Sequence, residues 1–257
     1  MTVEMASQTA SAERATEHRS SSLARVPAAF RLHLVNRQLI WIPLIVFGGA
    51  WALSLGIGLW AAQLEPAGSG PDDPVYTGSG QAALWCLAFM AAYSGSHTFP
   101  FALALSFSRR VYLLGTLLVF LMIAVCYGLL FGAAAALEEA TDGLGMHTYS
   151  HALPFLVADG LWVAGLTAAA VALMLMLIGF GATMLYRRFG VVGFWAVLLT
   201  LTVLTVVAVL LTVQAVGWDG FWGWFGRQTP LSAAGWSGLV AVVMAGVDYG
   251  LIRRATP

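Results

Sequence analysis

Lysine is missing from this chain: all twelve basic residues are arginine, set against twelve acidic residues in 257 positions. Without a lysine amine there is no phosphate-binding GxxxxGK[ST] loop, no Schiff base and no pyridoxal phosphate chemistry. Charge as a whole is scarce, at 9% of residues, against about 25% in soluble domains. So little charge cannot coat a water-facing surface, which excludes a soluble globular fold. An apolar content of 60% excludes a disordered chain as well. The two cysteines, Cys86 and Cys126, both sit in apolar runs. Neither a disulfide framework nor a zinc site is expected from them, and both read as buried, inert thiols. A net charge of zero leaves no basic excess for nucleic acid. No Gly-x-Ser-x-Gly, HExxH or paired-acid arrangement occurs, so the chain is expected to hold no catalytic residue, metal or cofactor and not to be an enzyme.

Long uncharged sequence is what the chain has in plenty. The stretches 38–64, 74–108, 111–137, 160–186, 189–218 and 228–247 carry no charge. Each reaches the ~20 residues that a helix needs to cross about 30 Å of hydrocarbon. Runs such as LLGTLLVFLMIAVCYGLLFGAAAAL do not alternate as barrel strands do. The expected fold class is therefore all-α, a polytopic membrane protein with six transmembrane helices. The spans fall at about 39–62, 81–104, 111–136, 155–186, 190–216 and 233–252, within one domain of residues 39–257. The fourth, about 32 residues long, predicts strong tilt, protrusion into water, or a kink near Gly179-Phe180-Gly181.

Arginine sets the orientation. An even number of spans puts both ends on one side, together with Arg14, Arg19, Arg25, Arg31, Arg37, Arg109, Arg110, Arg187, Arg188, Arg253 and Arg254. Only Arg227 falls opposite, among Glu65, Asp72, Asp73, Glu138, Glu139, Asp142 and Asp219. Both termini are expected in the cytoplasm. Residues 1–21 are polar and lack an apolar run, so they read as a disordered cytoplasmic tail rather than a cleaved signal. Over 22–38, Leu23, Val26, Phe30 and Leu34 share one side of a helical wheel. That segment reads as an interfacial amphipathic helix on the inner leaflet, or as an early start of the first span.

Within the second span, Pro100 removes a backbone donor and biases Phe99 away from helix, which predicts a kink or break near the membrane's inner half. Ser106 or Ser108 can cap a new short helix, with Arg109 and Arg110 left in water. The string Thr98-Phe99-Pro100-Phe101-Ala102-Leu103-Ala104-Leu105, then Ser106-Phe107-Ser108-Arg109-Arg110, then Tyr112-Leu113-Leu114-Gly115-Thr116 resembles a family signature. The signature is the TFPFALGLG-x-x-RR-x-(Y/F)-x-x-GT region of type-2 ATP-binding-cassette exporter permeases, notably those of high-GC Gram-positive bacteria. The likeness covers about 20 residues, and Ala104 stands where the pattern has glycine.

This resemblance implies a half-transporter in the bacterial plasma membrane. It would pair with a second permease subunit, identical or related, and move an amphiphile such as a drug, antibiotic or lipid by alternating access. ATP and Mg would be bound by separate ATPase subunits, with membrane lipids as the other partners. Residue by residue, Phe107, Ser108, Arg109 and Arg110 match the ATPase-coupling turn, and Tyr186-Arg187-Arg188-Phe189-Gly190 lies where a second contact is expected. Spans two and five face the path in that family, so Tyr93, His97 and Gln214 are candidate lining residues. The stretch Gly217–Trp236, with four tryptophans, is either a re-entrant outer segment that closes the exit through Trp222, Trp224 and Phe225, or a plain interfacial anchor.

Three smaller expectations complete the reading. Asp248 lies five residues before Arg253, which suggests a local ion pair or an interfacial position. Asp159 sits near the outer boundary and reaches water, and Arg227 has Asp219 as a nearby partner. His147 and His151, with Glu138 and Glu139, have only weak zinc-site spacing, and Gly128-x-x-x-Gly132 fits close helix packing. The competing functional reading is a non-transporting membrane regulator or assembly factor that binds a cytoplasmic partner through its arginines.

Overall fold

The computed structural model describes residues 24–35, 37–64 and 74–253. The expected tail 1–21, and Glu65, Asp72, Asp73 and Arg254, lie outside them. The chain is all-α apart from one two-residue ladder. Its elements are α1 (Val26–Val35), α2 (Gln38–Leu64), β1 (Val75–Tyr76), α3 (Gln81–Tyr93), a π-turn (Ser94–Thr98) and α4 (Phe99–Ala104), followed by α5 (Arg109–Ala140), β2 (Thr148–Tyr149), α6 (Pro154–Val157), α7 (Leu161–Gly226) and α8 (Pro230–Ile252). β1 and β2 pair in parallel, Val75 opposite Thr148 and Tyr76 opposite Tyr149.

Four of these helices, α2, α5, α7 and α8, are long and apolar enough to cross a membrane. The second apolar run is helical over 81–104, but the π-turn divides it. The fourth and fifth runs share α7, whose backbone leaves helical geometry at Gly190 (φ 69°, ψ −173°) and Gly217 (φ 73°, ψ 169°). Only glycine adopts such angles without a steric penalty. These two positions cut α7 into segments 161–189, 191–216 and 218–226. The expected start of the fourth run at 155 shifts to 161, because Gly160 (φ 100°) separates it from α6. No kink forms at Gly179-Phe180-Gly181. Those glycines serve close approach instead: a Cβ on Gly179 would meet the Ala88 carbonyl, and one on Gly181 would lie 2.5 Å from Asp248 Oδ1.

The core runs along α5 and the first segment of α7, where Phe120 and Phe180 pack edge to face at 5.9 Å. The Gly128-x-x-x-Gly132 pair does mark a close crossing, since both glycines face Gly165 of α7. In contrast, no residue of 191–216 is buried. Both cysteines are free thiols, and Cys126 is exposed rather than buried, because it looks outward from α5.

Helix α1 exists, and its buried residues are Ala29 and His33. Val26, Phe30 and Leu34 are half-buried, and Leu23 lies outside the described residues. The reason is on α5: Gly115 has no side chain, and a Cβ there would lie 2.7 Å from Ala29 Cβ. The small Ala29 therefore seats on α5 and sets the rotation of the whole helix.

Candidate functional site

Arg25, Arg109 and Arg253 meet at one end of the bundle, around the turn between α4 and α5. Helix α4 ends with Ser106 N–H on the Leu103 carbonyl (2.9 Å) and Phe107 N–H on the Ala102 carbonyl (3.1 Å). That is the Schellman pattern, which normally places glycine at the left-handed position. Here Ser106 holds it, at φ 60°. Ser108 then caps α5, its hydroxyl accepting from Val111 N–H at 3.3 Å. The expected serine cap is present, but the helix it starts is the 32-residue α5 rather than a short one.

This turn is tied on two sides. Arg25, just before α1, donates to the Ser106 carbonyl at 3.3 Å and lies 4.9 Å over the Phe107 ring. Arg109 donates to the Arg253 carbonyl at 2.7 Å, so a cation sits at the C-terminal end of α8, where the helix dipole favours it. Arg109 is therefore engaged within the chain, and Phe107 is half-buried, whereas Ser108 and Arg110 are exposed. Arg187, near the C-terminal end of α7's first segment, donates to the Ser96 carbonyl.

Beneath the turn lies a buried polar node that the sequence reading did not find. His33 of α1 bonds Thr116 Oγ1 through Nε2 (2.9 Å) and Ser94 Oγ through Nδ1 (3.2 Å). Tyr112 donates its hydroxyl to the Ser94 carbonyl at 3.1 Å. The signal available in the sequence was a histidine beside Arg31 in a short, mostly apolar helix. Burial pushes the His33 imidazole down from 6.5 to about 4. A lowered folded pKa means that the unfolded chain binds the proton first. His33 therefore costs nothing above about pH 7, and stability drops as pH falls from 6.5 toward 4, by about 3 kcal/mol at the lower limit. His33→Asn is expected to flatten that acid limb in thermal melts run between pH 7 and 4. An unchanged slope would remove His33 as its cause.

The candidate path residues are divided. Tyr93 and His97 stack at 4.1 Å on an exposed face, with His97 Nδ1 2.7 Å from Ser96 Oγ. Gln214 is exposed at the opposite end, three residues before the Gly217 break, and no described bond or ring contact joins it to them. The outer aromatics do cluster: Trp224 lies 4.9 Å from Phe225 and 6.3 Å from Trp236, and Trp222 5.9 Å from Phe225. Next to them, Thr229 and Ser232 form a reciprocal cap on α8 (3.2 and 2.9 Å), and Asp159 accepts from Leu231 N–H at 3.3 Å. Among the described residues Arg227 makes no ion pair with Asp219; the described ion pairs are those of the two histidines below.

At that same end Glu138 is completely buried. Its carboxylate accepts from the N–H groups of Ser150 (3.0 Å), His151 (2.8 Å) and Ala152 (2.9 Å), from Ser150 Oγ (2.8 Å) and from His151 Nδ1 (2.9 Å). His147 instead pairs with Asp142 at 3.1 Å. The HxxxH spacing is thus split between two acids, and no group of three or more His, Cys, Asp or Glu among the described residues is arranged to hold a metal. Asp248 overturns the local ion-pair expectation. It is buried, and neither oxygen has a hydrogen-bond partner among the described residues, while the Arg253 guanidinium lies 5.6 Å over the Tyr249 ring. Five residues turn a helix by about 140°, so Asp248 and Arg253 point to different faces.

Compared with protein-family models, with curated proteins and with solved structures, the chain matches none.

Proposed function

We propose that this chain is the membrane-spanning permease subunit of an ATP-driven exporter. It crosses the bacterial plasma membrane six times with both termini in the cytoplasm: α2, the α3–α4 unit, α5, the first two segments of α7, and α8. Large apolar side chains exposed along these helices, such as Val192, Leu199, Leu129 and Val242, support a lipid-facing exterior, because soluble monomers rarely expose such continuous surface. Arg25 near the start and Arg253 near the end meet the same turn region, in keeping with an even number of crossings.

The observation that carries the reading is the mechanical connection of residues 105–109. Arg25 and Arg109 link this turn to α1 and α8, and the His33–Ser94–Tyr112 node lies directly beneath it. A partner ATPase that pushes on exposed Ser108 and Arg110 would therefore move several helices at once. Segment 191–216, unburied on every side, leaves room for a second permease subunit. The exposed Tyr93–His97 pair and Gln214 suit a path for an amphiphile, and the 218–226 helix suits an outer gate.

Phe107→Ala combined with Arg109→Glu is expected to lower ATPase recruitment and substrate-stimulated transport at least tenfold while membrane insertion persists. Arg110→Glu, at an exposed position, separates docking from loss of the Arg109 contact with α8. Vesicle transport and ATPase stimulation that survive both changes would exclude this turn as the coupling site. A partner captured in their absence, with no nucleotide hydrolysis, would favour the regulator reading.

A further inference from the structure

The α3–α4 run contains a proline and a π-turn side by side. In an α-helix the carbonyl of Ser96 takes its hydrogen bond from the N–H of residue 100, and Pro100 has none. Arg187 fills that place. Its Nη2 donates to the Ser96 carbonyl at 2.5 Å, and its guanidinium lies 6.0 Å from the Phe99 ring centre. Just before the proline, Phe99 N–H reaches back five residues to the Ser94 carbonyl, which is the wide turn itself. Thr183, one turn before Arg187, donates to the Ala92 carbonyl at 3.1 Å. On the other side, His33 of α1 and Tyr112 of α5 both bond Ser94. Five residues of irregular helix are thus held from three elements.

We propose that Arg187 is a positioning residue: it replaces the donor that Pro100 lacks, holds the π-turn Ser94–Thr98 in shape, and makes that turn the joint between α3 and α4. Single π-turns concentrate at functional sites, and sharp bends arise at proline or where a group inserts into the helix ladder; both conditions meet here. With Arg187 seated, the backbone keeps helical angles from α3 into α4. When the C-terminal end of α7's first segment withdraws, the Ser96 carbonyl turns to solvent, and α4, with the 105–108 turn attached, swings about Pro100. The joint belongs to the fold and is present whether the partner beneath it is an ATPase or a regulator.

The full-length protein in lipid nanodiscs provides the test, through amide hydrogen exchange over 97–104 and thermal midpoints. Arg187→Ala is expected to raise exchange there at least tenfold and lower the midpoint by about 4–8 °C. Pro100→Ala restores the missing N–H, so the double variant should return to within twofold in exchange, and about 2 °C, of Pro100→Ala alone. Arg188→Ala is the comparison if Pro100→Ala does not fold. The Arg188 guanidinium lies over Phe189 at 4.6 Å, and its removal should leave exchange over 97–104 unchanged. The proposal fails if Arg187→Ala leaves that exchange unaltered, if its full effect persists in the double variant, or if Arg188→Ala matches it.

Discussion

Glu138→Ala should lower the thermal midpoint of the protein by about 10 °C. The carboxylate is the common acceptor for three backbone N–H groups, the Ser150 hydroxyl and His151 Nδ1. Removing it strands all of these donors out of reach of water. Breaking a buried ionic cluster from one side costs about 3–5 kcal/mol, and for a chain of this size each kcal/mol shifts the midpoint by about 2–4 °C. Glu138→Gln keeps one acceptor oxygen and should lose about half as much. Tryptophan-fluorescence melts in detergent distinguish these outcomes. A drop of under 2 °C for the alanine variant would mean that the Ser150–Ala152 segment finds other acceptors. The loss should show first as disorder of residues 141–152, because this cluster anchors them to the end of α5.

The second large effect is expected at Gly128. A Cβ there would lie 2.5 Å from the Gly165 carbonyl oxygen and 2.7 Å from Ala169 Cβ. Gly128→Leu must therefore force α5 and α7 apart at this close crossing. Overpacking of this kind costs about 1–3 kcal/mol, and more where backbone has to move. A midpoint drop above 10 °C, or failure to accumulate in the membrane, is the expected result. Gly132→Ala provides the contrast, since its Cβ would find its nearest atoms at 3.6 Å, an ordinary contact. Equal stability of the two variants would show that the crossing is looser than described.

Several features of the candidate site were legible in the sequence, because they depend on chemistry within a few residues. The serine cap before Arg109 is one: a hydroxyl ahead of a long apolar run has few other uses. The Gly128/Gly132 crossing is another, since only small residues let two helix backbones approach. Pro100 was legible in part. Its lost donor is visible in the sequence, and a kink is the ordinary consequence. The run is interrupted, but by a π-turn: Thr98 (φ −72°, ψ −32°) and Phe99 (φ −63°, ψ −52°) keep helical angles, and a guanidinium 91 positions away bonds the Ser96 carbonyl. A helical wheel shows α1 its apolar residues but not Gly115, so the seating of Ala29 on α5 is not visible in it. The histidine spacing likewise suggested a pair, whereas the left-handed residues Asp142, Leu144 and His147 turn the loop so that His147 and His151 meet different acids.

By itself the sequence determined the class of molecule. Scarce charge and long apolar runs leave helices as the one way to satisfy every backbone group, and proline, glycine and serine mark where those helices start and break. Tertiary structure alone decided which polar groups are engaged. Arg109 is turned onto α8, Arg187 onto the carbonyl beside Pro100, His33 onto the π-turn, and Glu138 into a closed cradle, while Asp248 is left without a described partner. Hydrogen bonds and buried charges depend on distances of about 3 Å between residues far apart in the chain, and those distances exist only once the helices have packed.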